Sequence, residues 1–239
     1  YARFPAVELV NCVLVNNFID GSYTIEGEEE TDAQGGAICY NYDIHAYEQD
    51  GNPSHDPELR IVNSTIADNS ISNIATGYDN GVVGAGISRN NTNNNPVTIF
   101  NSIIYNNEIE GYLESENFRM NLGQFNGVSA FDDDNALIDY SIIEYFSETN
   151  LEEDDLLDTD PGFVGSGDYS LSDASVAIGA GIDEYENIDS PSFDYNNEAR
   201  PGSGGGNPDL GAFEHEFSTT PYPAKPQNLT VDSEGDSSV

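Results

Sequence analysis

Four stretches of this chain repeat one pattern and align with each other without gaps. Each has a short apolar run, a polar bend, and a second short apolar run, which in three of the four ends in Asn. Units of this length cannot bury their own apolar side, so they must stack on neighbouring units. The repeat therefore predicts a solenoid. The stretches start 52, 38 and 39 residues apart and cover residues 7–17, 59–69, 97–107 and 136–146.

Two glycine-containing strings lie between the repeats and predict further short strands. They read GGAI at residues 35–38 and GAGI at residues 84–87. Each coil of such a stack rises by one strand spacing, about 4.8 Å, so the repeats predict a short rod.

Asparagine occupies two fixed positions of the repeat. A side-chain amide at a fixed position can hydrogen-bond along the stack as the backbone does. Asn also tolerates the left-handed backbone that turns one strand into the next. The fourth repeat has Tyr140 and Phe146 at these positions, which indicates that the stack ends there. We expect ladders of Asn11, Asn63 and Asn101 at the first position and of Asn17, Asn69 and Asn107 at the second.

These strings resemble the repeats of right-handed parallel β-helix surface proteins. They are similar to the GGAI and FxxN pairs of chlamydial polymorphic outer-membrane proteins, with Leu or Ile in place of Phe at positions 14, 66 and 104. We take from this resemblance the fold and not the autotransporter activity.

The last third of the chain has a second, more specific resemblance. DPGFV at residues 160–164, GDYSL at 167–171, ASVAIGAG at 174–181 and DLGAFE at 209–214 occur in order. This set resembles the C-terminal end of secreted bacterial β-helix proteins of the choice-of-anchor type. Val176 and Gly179 depart from the usual Pro and Asp. The two resemblances imply an all-β fold, a right-handed parallel β-helix (solenoid) with a C-terminal capping region.

The composition divides the chain into four parts. Residues 1–157 are predicted to be β-helix coils, truncated at the N-terminal side, and residues 158–217 to form the C-terminal end or cap. Residues 218–226 are a Pro-rich linker. Residues 227–239 look like the start of a fibronectin type III-like domain, so we expect the chain to be part of a longer multidomain protein.

The charge excludes one class of partner. The chain has 44 Asp and Glu residues against 6 Lys and Arg, a net charge of −38. Nucleic acid needs a Lys/Arg footprint on its phosphates, so we expect no nucleic-acid binding. Anionic membrane surfaces are disfavoured for the same reason. No apolar run approaches the roughly 18 residues of a membrane span, so no membrane insertion is expected here.

Acidic clusters make Ca²⁺ the one cofactor that the sequence suggests. Calcium is bound by oxygen ligands, which Asp- and Asn-rich loops supply. The best candidate ligands are Asp132, Asp134 and Asn135. No cluster has the spacing of an EF-hand or of the calcium-binding nonapeptide repeats. A solvated acidic surface is the alternative interpretation.

Two structural pairings are also predicted. Cys12 stands where the other repeats have Ser, and Cys39 follows the GGAI string. The two cysteines could form a disulfide across adjacent coils or serve as small packing residues. Arg200 is expected to pair with Asp209 or Glu214, which would pin the final loop over the last coil and close its exposed sheet edges.

Two functions remain open from the sequence. The repeats, the cap and the linker favour a non-catalytic extracellular or cell-surface segment, structural or adhesin-type, of a larger secreted bacterial protein, with glycans or other surface proteins as partners. The alternative is a carbohydrate-active enzyme or a glycan-binding module on a β-helix scaffold. The few arginines are dispersed, and with 44 acids no catalytic carboxylate pair stands out. In the binding alternative, tyrosines of the inserts would stack on sugars, namely Tyr23, Tyr40, Tyr42 and Tyr47.

Overall fold

The structure, a computed structural model, describes residues 7–20, 35–40, 58–72, 84–90, 97–110, 121–125, 136–144, 156–203 and 205–217. The statements below concern these residues. The predicted calcium ligands Asp132, Asp134 and Asn135, the linker 218–226 and the fibronectin-like segment 227–239 lie outside them.

Nineteen short strands make up the regular structure of the described residues. The first coil contains β1 (Val7–Val10), β2 (Val13–Val15), β3 (Phe18–Asp20) and β4 (Ile38–Tyr40). The second contains β5 (Leu59–Val62), β6 (Thr65–Ala67), β7 (Ser70–Ser72) and β8 (Ile87–Asn90). The third contains β9 (Val97–Phe100), β10 (Ile103–Tyr105), β11 (Glu108–Ile109) and β12 (Leu122–Phe125).

The remaining strands finish the stack and form the C-terminal region. Strands β13 (Ala136–Asp139) and β14 (Ser141–Ile143) belong to the fourth coil, and β15 (Leu156–Leu157) pairs beside β14. After them come two antiparallel hairpins. These are β16 (Phe163–Gly165) with β17 (Asp168–Leu171), and β18 (Glu184–Tyr185) with β19 (Ile188–Asp189).

Four parallel sheets run along the stack, and this confirms the predicted all-β parallel β-helix. We call them sheet A (β1-β5-β9-β13), sheet B (β2-β6-β10-β14-β15), sheet C (β3-β7-β11) and sheet D (β4-β8-β12). The predicted alignment of the repeats is also the observed register, since Val7, Leu59, Val97 and Ala136 are successive partners in sheet A.

Sheet C and β12 were not predicted. The strands of sheet C carry a single buried or half-buried apolar residue each, at positions 19, 71 and 109, which gives no alternating pattern. Strand β12 lacks the glycine entry that marks β4 and β8. It is nevertheless in register with β8, with Leu122 beside Ile87.

Two apolar cores lie on the two sides of sheet B. The interior of the solenoid contains Ile104 and Ile143 with residues of the other sheets. Their neighbours Ile103 and Ile142 point to the opposite side and pack against the C-terminal region. Consecutive isoleucines in β10 and β14 are therefore both buried, because each side of the sheet is covered.

The C-terminal region covers the side of the solenoid. We call residues 158–203 and 205–217 the C-terminal strap. It contacts Asn11 in the first coil, Asn63 in the second, Asn101 in the third and Ile142 in the fourth. The C-terminal region therefore lies along the side of the stack and contacts the fourth coil together with the three before it. The outer side of sheet B is apolar and would otherwise be exposed, and only a lateral segment can cover it.

Candidate functional site

The asparagines of the second ladder position form a continuous amide ladder. The backbone N–H and Nδ2 of Asn17 both donate to Oδ1 of Asn69, at 3.0 and 2.8 Å. Asn69 donates in the same way to Asn107, at 3.2 and 2.7 Å. The side-chain amides are thus hydrogen-bonded from coil to coil inside the solenoid, as the backbone is in the parallel sheets. This prediction is confirmed.

The ladder continues beyond the predicted end. Both donors of Asn107 bind Oδ1 of Asn121, and Nδ2 of Asn121 donates to the backbone oxygen of Glu144 at 3.2 Å. Asn121 lies before β12 in the third coil, so it replaces the amide that the fourth repeat lacks. The sequence alignment could not identify Asn121, because it is outside the repeated string.

At the first position the asparagines bind mainly the strap, and two of them also bind each other. Asn11, Asn63 and Asn101 have φ of 52°, 45° and 50°, so the predicted left-handed bend is confirmed. Their Nδ2 groups donate to the backbone oxygens of strap residues Phe193, Asp209 and Ile182, respectively. One amide-to-amide bond is present, from Asn101 to Asn63 at 3.3 Å.

Between the two asparagine positions runs a ladder of hydroxyl groups that the sequence reasoning missed. The N–H of Cys12 donates to Ser64, that of Ser64 to Ser102, and that of Ser102 to Ser141, at 3.1, 3.2 and 3.1 Å. Each Ser hydroxyl in turn donates to the carbonyl two residues earlier. The alignment of Cys12 with serines of the other repeats was the available signal in the sequence. Serine recurs at this position because its hydroxyl can both donate and accept a hydrogen bond.

A row of polar side chains follows the second bend on the outside of the coils. Nδ2 of Asn106 donates to Oδ1 of Asp68, and Oδ2 of Asp68 accepts the hydroxyl of Tyr169 at 2.7 Å. Nδ2 of Asn16 donates to the same hydroxyl at 3.0 Å. Burial, followed by the bond to Asp68, raises the pKa of Tyr169 to about 12. The strap hairpin is thereby attached to the first and second coils.

Arg200 is the centre of a buried charged cluster in the strap. Its NH1 group lies 3.1 Å from Oε2 of Glu214, and the two side chains are 0% and 2% exposed. The guanidinium also donates to the backbone oxygens of Asp209 and Gly211, at 2.8 and 3.2 Å. The predicted pairing with Glu214 is therefore present. Asp209 takes part through its main chain.

The carboxylates of this cluster fix distant loops through backbone N–H groups. Asp209 accepts from Gly179 and His215, both at 2.6 Å. Glu214 accepts from Gly202 at 2.8 Å and from Asp209 at 3.1 Å. Such charge-assisted hydrogen bonds are stronger than neutral ones, and here they hold the strap in one conformation.

Asp194 is a third carboxylate of the cluster that sequence reasoning did not identify. Its Oδ1 accepts the N–H groups of Asn196 and Glu198, both at 2.8 Å, and its Oδ2 accepts that of Glu214 at 2.9 Å. The signal was local: an Asp followed by Tyr-Asn-Asn-Glu is typical of a turn closed by the Asp side chain.

Three carboxylates, those of Asp194, Asp209 and Glu214, lie near the single guanidinium of Arg200, and the pKa values of several of these groups are shifted. Burial, and then the charge of Asp209, raises the pKa of Glu214 to about 7. Burial also raises the pKa of Asp209 and lowers that of Arg200. Desolvation therefore outweighs the attraction between these charges.

The two cysteines are free thiols. Both belong to the first coil, Cys12 at the bend after β1 and Cys39 in β4. A disulfide across adjacent coils is therefore not formed. Cys39 is exposed between Ile38 and the buried Tyr40, so its side chain points away from the core. Burial of Tyr40 also removes one of the four tyrosines considered for sugar stacking, and Tyr23, Tyr42 and Tyr47 lie outside the described residues.

Two searches of the described ranges gave negative results. No group of three or more His, Cys, Asp or Glu side chains within them could hold a metal ion. No helix in the same ranges is long and apolar enough to cross a membrane.

Comparison with protein-family models gave no match, and neither did comparison with curated proteins or with solved structures. The arrangement of the described residues itself therefore has to carry the functional interpretation.

Proposed function

We propose that this chain is a non-catalytic structural segment, of the stalk or adhesin type, in an extracellular or cell-surface protein. The observation that carries the proposal is the strap. It binds four coils through Asn11, Asn63, Asn101 and Ile142. The side chains of Asn11, Asn63 and Asn101 thus hold the coils and the strap together.

The distribution of charge supports the same proposal. Arg200, the buried cation of the strap, is enclosed by Glu214 and two backbone carbonyls. Arg60, in sheet A, pairs with Glu58 at 2.6 Å. With a net charge of −38, a polyanionic substrate would be repelled from this surface, whereas a secreted rod would be kept soluble.

One observation favours the second candidate, a glycan-binding module. Phe193 and Tyr195 are 53% and 58% exposed. Asp194, which lies between them, fixes the turn that follows by accepting the N–H groups of Asn196 and Glu198. Tyr195 also packs edge-on against Phe213, with 5.4 Å between ring centroids. Rigidly held exposed aromatic rings are suited to stacking on sugar rings.

Glycan arrays and polysaccharide turnover assays on the whole chain separate the two candidates. The structural proposal expects neither turnover nor retention of a glycan. Retention that is lost in Phe193→Ser and Tyr195→Ser would support the binding module, provided that Val164→Ser, which alters an equally exposed residue of another hairpin, has no effect. Turnover that disappears on substitution of one carboxylate would overturn the structural proposal.

Location needs a separate test. Antibodies against the native chain should label intact cells of the source organism or detect the protein in its culture medium. Antigen found exclusively after cell lysis would contradict the extracellular part of the proposal.

A further inference from the structure

We propose that the first coil carries an interface for one more coil of the same repeat type, which stacks on β1, β2 and β3 and continues the solenoid at its N-terminal side. The inference concerns how the rod is extended, and it holds whether or not the chain acts as an adhesin.

The apolar residues of the first coil are exposed at positions that are buried in the next coils. Val7 is 50% exposed, whereas its partners Leu59 and Val97 are each 1% exposed. Val10 is 36% exposed and its partner Val62 is 1% exposed. The difference arises because the later coils have neighbours on both sides. The first coil is thus built for an interior position.

Among the described residues, no donor reaches the acceptor oxygen at the same end of the asparagine ladder. Asn17, Asn69 and Asn107 each donate their N–H and Nδ2 to Oδ1 of the next asparagine in the ladder. By this direction, Oδ1 of Asn17 is the acceptor for a preceding coil, and Asn17 is exposed whereas Asn69 and Asn107 are buried. A preceding coil with Asn at this position would satisfy Asn17 and extend an interface that is already repeated inside the molecule.

Strands β1 and β2, as the structure describes them, have few of the features that protect natural sheet edges. Strand β2 reads Val-Leu-Val, and β1 has Glu8 as its one charged residue. Neither strand contains Pro or an inward charge, and each pairs on one side within the described part of the chain. Phe18 in β3 adds an aromatic ring that is 60% exposed. A flat apolar edge of this kind is a template for parallel strand addition.

A second copy of the chain is a poor occupant of this face. The far end of its own stack has Tyr140 and Phe146 at the two asparagine positions, and the last amide of the ladder, that of Asn121, already donates to Glu144. Two copies would also bring two charges of −38 together. A coil that is covalently continuous with Val7 avoids both difficulties, and we therefore assign the interface to such a coil.

The test is to supply that coil. Residues 59–96 span one period of the sequence repeat and directly precede β9. A copy of them is therefore inserted between Ala6 and Val7 of the full chain. We expect the extended chain to remain monomeric and to melt several degrees higher. We also expect maleimide labelling of Cys12 to slow at least tenfold while that of Cys39, on the outside of β4, is unchanged. The matched control carries Asn69→Leu in the inserted copy alone, and it should lose much of the gain in melting temperature.

Three results would overturn the proposal. The first is an inserted coil that is digested by protease while the original chain stays intact and Cys12 stays as reactive as before. The second is an extended chain that melts no higher than the original. The third is a concentration-dependent head-to-tail assembly of the original chain that the added coil abolishes, since this would show that a second copy occupies the face.

Discussion

Asn101 binds both main-chain groups of Ile182 with its one side chain. Its Oδ1 accepts the N–H of Ile182 at 2.9 Å, and its Nδ2 donates to the carbonyl oxygen of the same residue at 2.7 Å. The side-chain amide of Asn101 thus pairs with Ile182 as a neighbouring strand would, although the two residues are 81 positions apart in sequence. It also adopts the left-handed backbone of the bend, with φ of 50°.

Replacing this amide should loosen the strap. Asn101→Gly keeps the left-handed backbone accessible and removes both bonds to Ile182 together with the bond to Asn63. We expect the free energy of unfolding to fall by about 2–4 kcal/mol, because two buried backbone groups lose their partners. Urea denaturation measures it. Asn11→Gly, at the equivalent bend of the first coil, loses one strap bond and should cost clearly less. Equal losses would contradict the role given to Asn101.

Arg200→Met should be among the most damaging single substitutions in the strap. It leaves the carboxylates of Glu214 and Asp209 buried without their cation, and breaking a buried pair in this way costs about 3–5 kcal/mol. Arg60→Met is the control, because the Arg60–Glu58 pair is 33% and 22% exposed and such pairs contribute about 0–1 kcal/mol. Equal effects of the two substitutions on the denaturation midpoint would show that the Arg200 cluster is not a stabilising centre.

The stability of the protein should depend on pH through Glu214. The folded pKa of Glu214, about 7, is above its ordinary value of 4.5, so the folded state holds this proton more tightly than the unfolded state. The free energy of unfolding should therefore fall as the pH rises from about 5 to about 8. The raised pKa of Asp209 acts in the same direction.

Matched variants separate this effect from the general charge repulsion of an acidic chain. Glu214→Gln should flatten the pH dependence of the melting temperature in this range, whatever it does to the melting temperature itself. Glu216→Gln removes an exposed carboxylate nearby and should leave the slope as it is. The comparison is made at about 0.5 M salt, where surface charges are screened. An unchanged slope in Glu214→Gln would exclude Glu214 as the source.

Substitution of Gly211 should weaken the packing of the strap on sheet B. It has φ of 88°, and a Cβ there would lie 2.8 Å from Cδ1 of Ile103 and 2.9 Å from Oγ1 of Thr65. Gly167 has φ of 78° with no atom within 4 Å of the added carbon. Both substitutions by Ala incur the left-handed strain of about 1 kcal/mol, but Gly211→Ala also separates strap and sheet B. Hydrogen exchange of residues 205–217 should accelerate in Gly211→Ala and not in Gly167→Ala.

The repeats predicted the interior of the solenoid well because single polar residues at fixed positions set the register of its strands. Asn69 and Ser64 mark the same two points in each coil, and a shift of one residue would misalign both ladders. Sheet C escaped prediction because Ile71 is its one recurring apolar position. A lone residue defines neither an alternation nor a boundary.

The position of the strap could not be derived from its motifs. DLGAFE predicts a well-ordered segment but does not say which surface it covers, since the contacts of Asp209 and Gly211 are with residues far away in sequence. The informative signal was in sheet B. Ile103 with Ile104, and Ile142 with Ile143, place apolar residues on both sides of one sheet and thereby require a cover.

The contact between Asn11 and Phe193 joins residues that are 182 positions apart. Most contacts of a solenoid are between neighbouring coils, so its folding can spread from one repeat to the next. This chain must in addition close a loop of 182 positions before the bend at Asn11 is attached to the strap, and such distant contacts slow folding. That bend can be attached only after Phe193 has been made. A ribosome-bound chain that stops before Phe193 should hold its early coils in an open, exchangeable state.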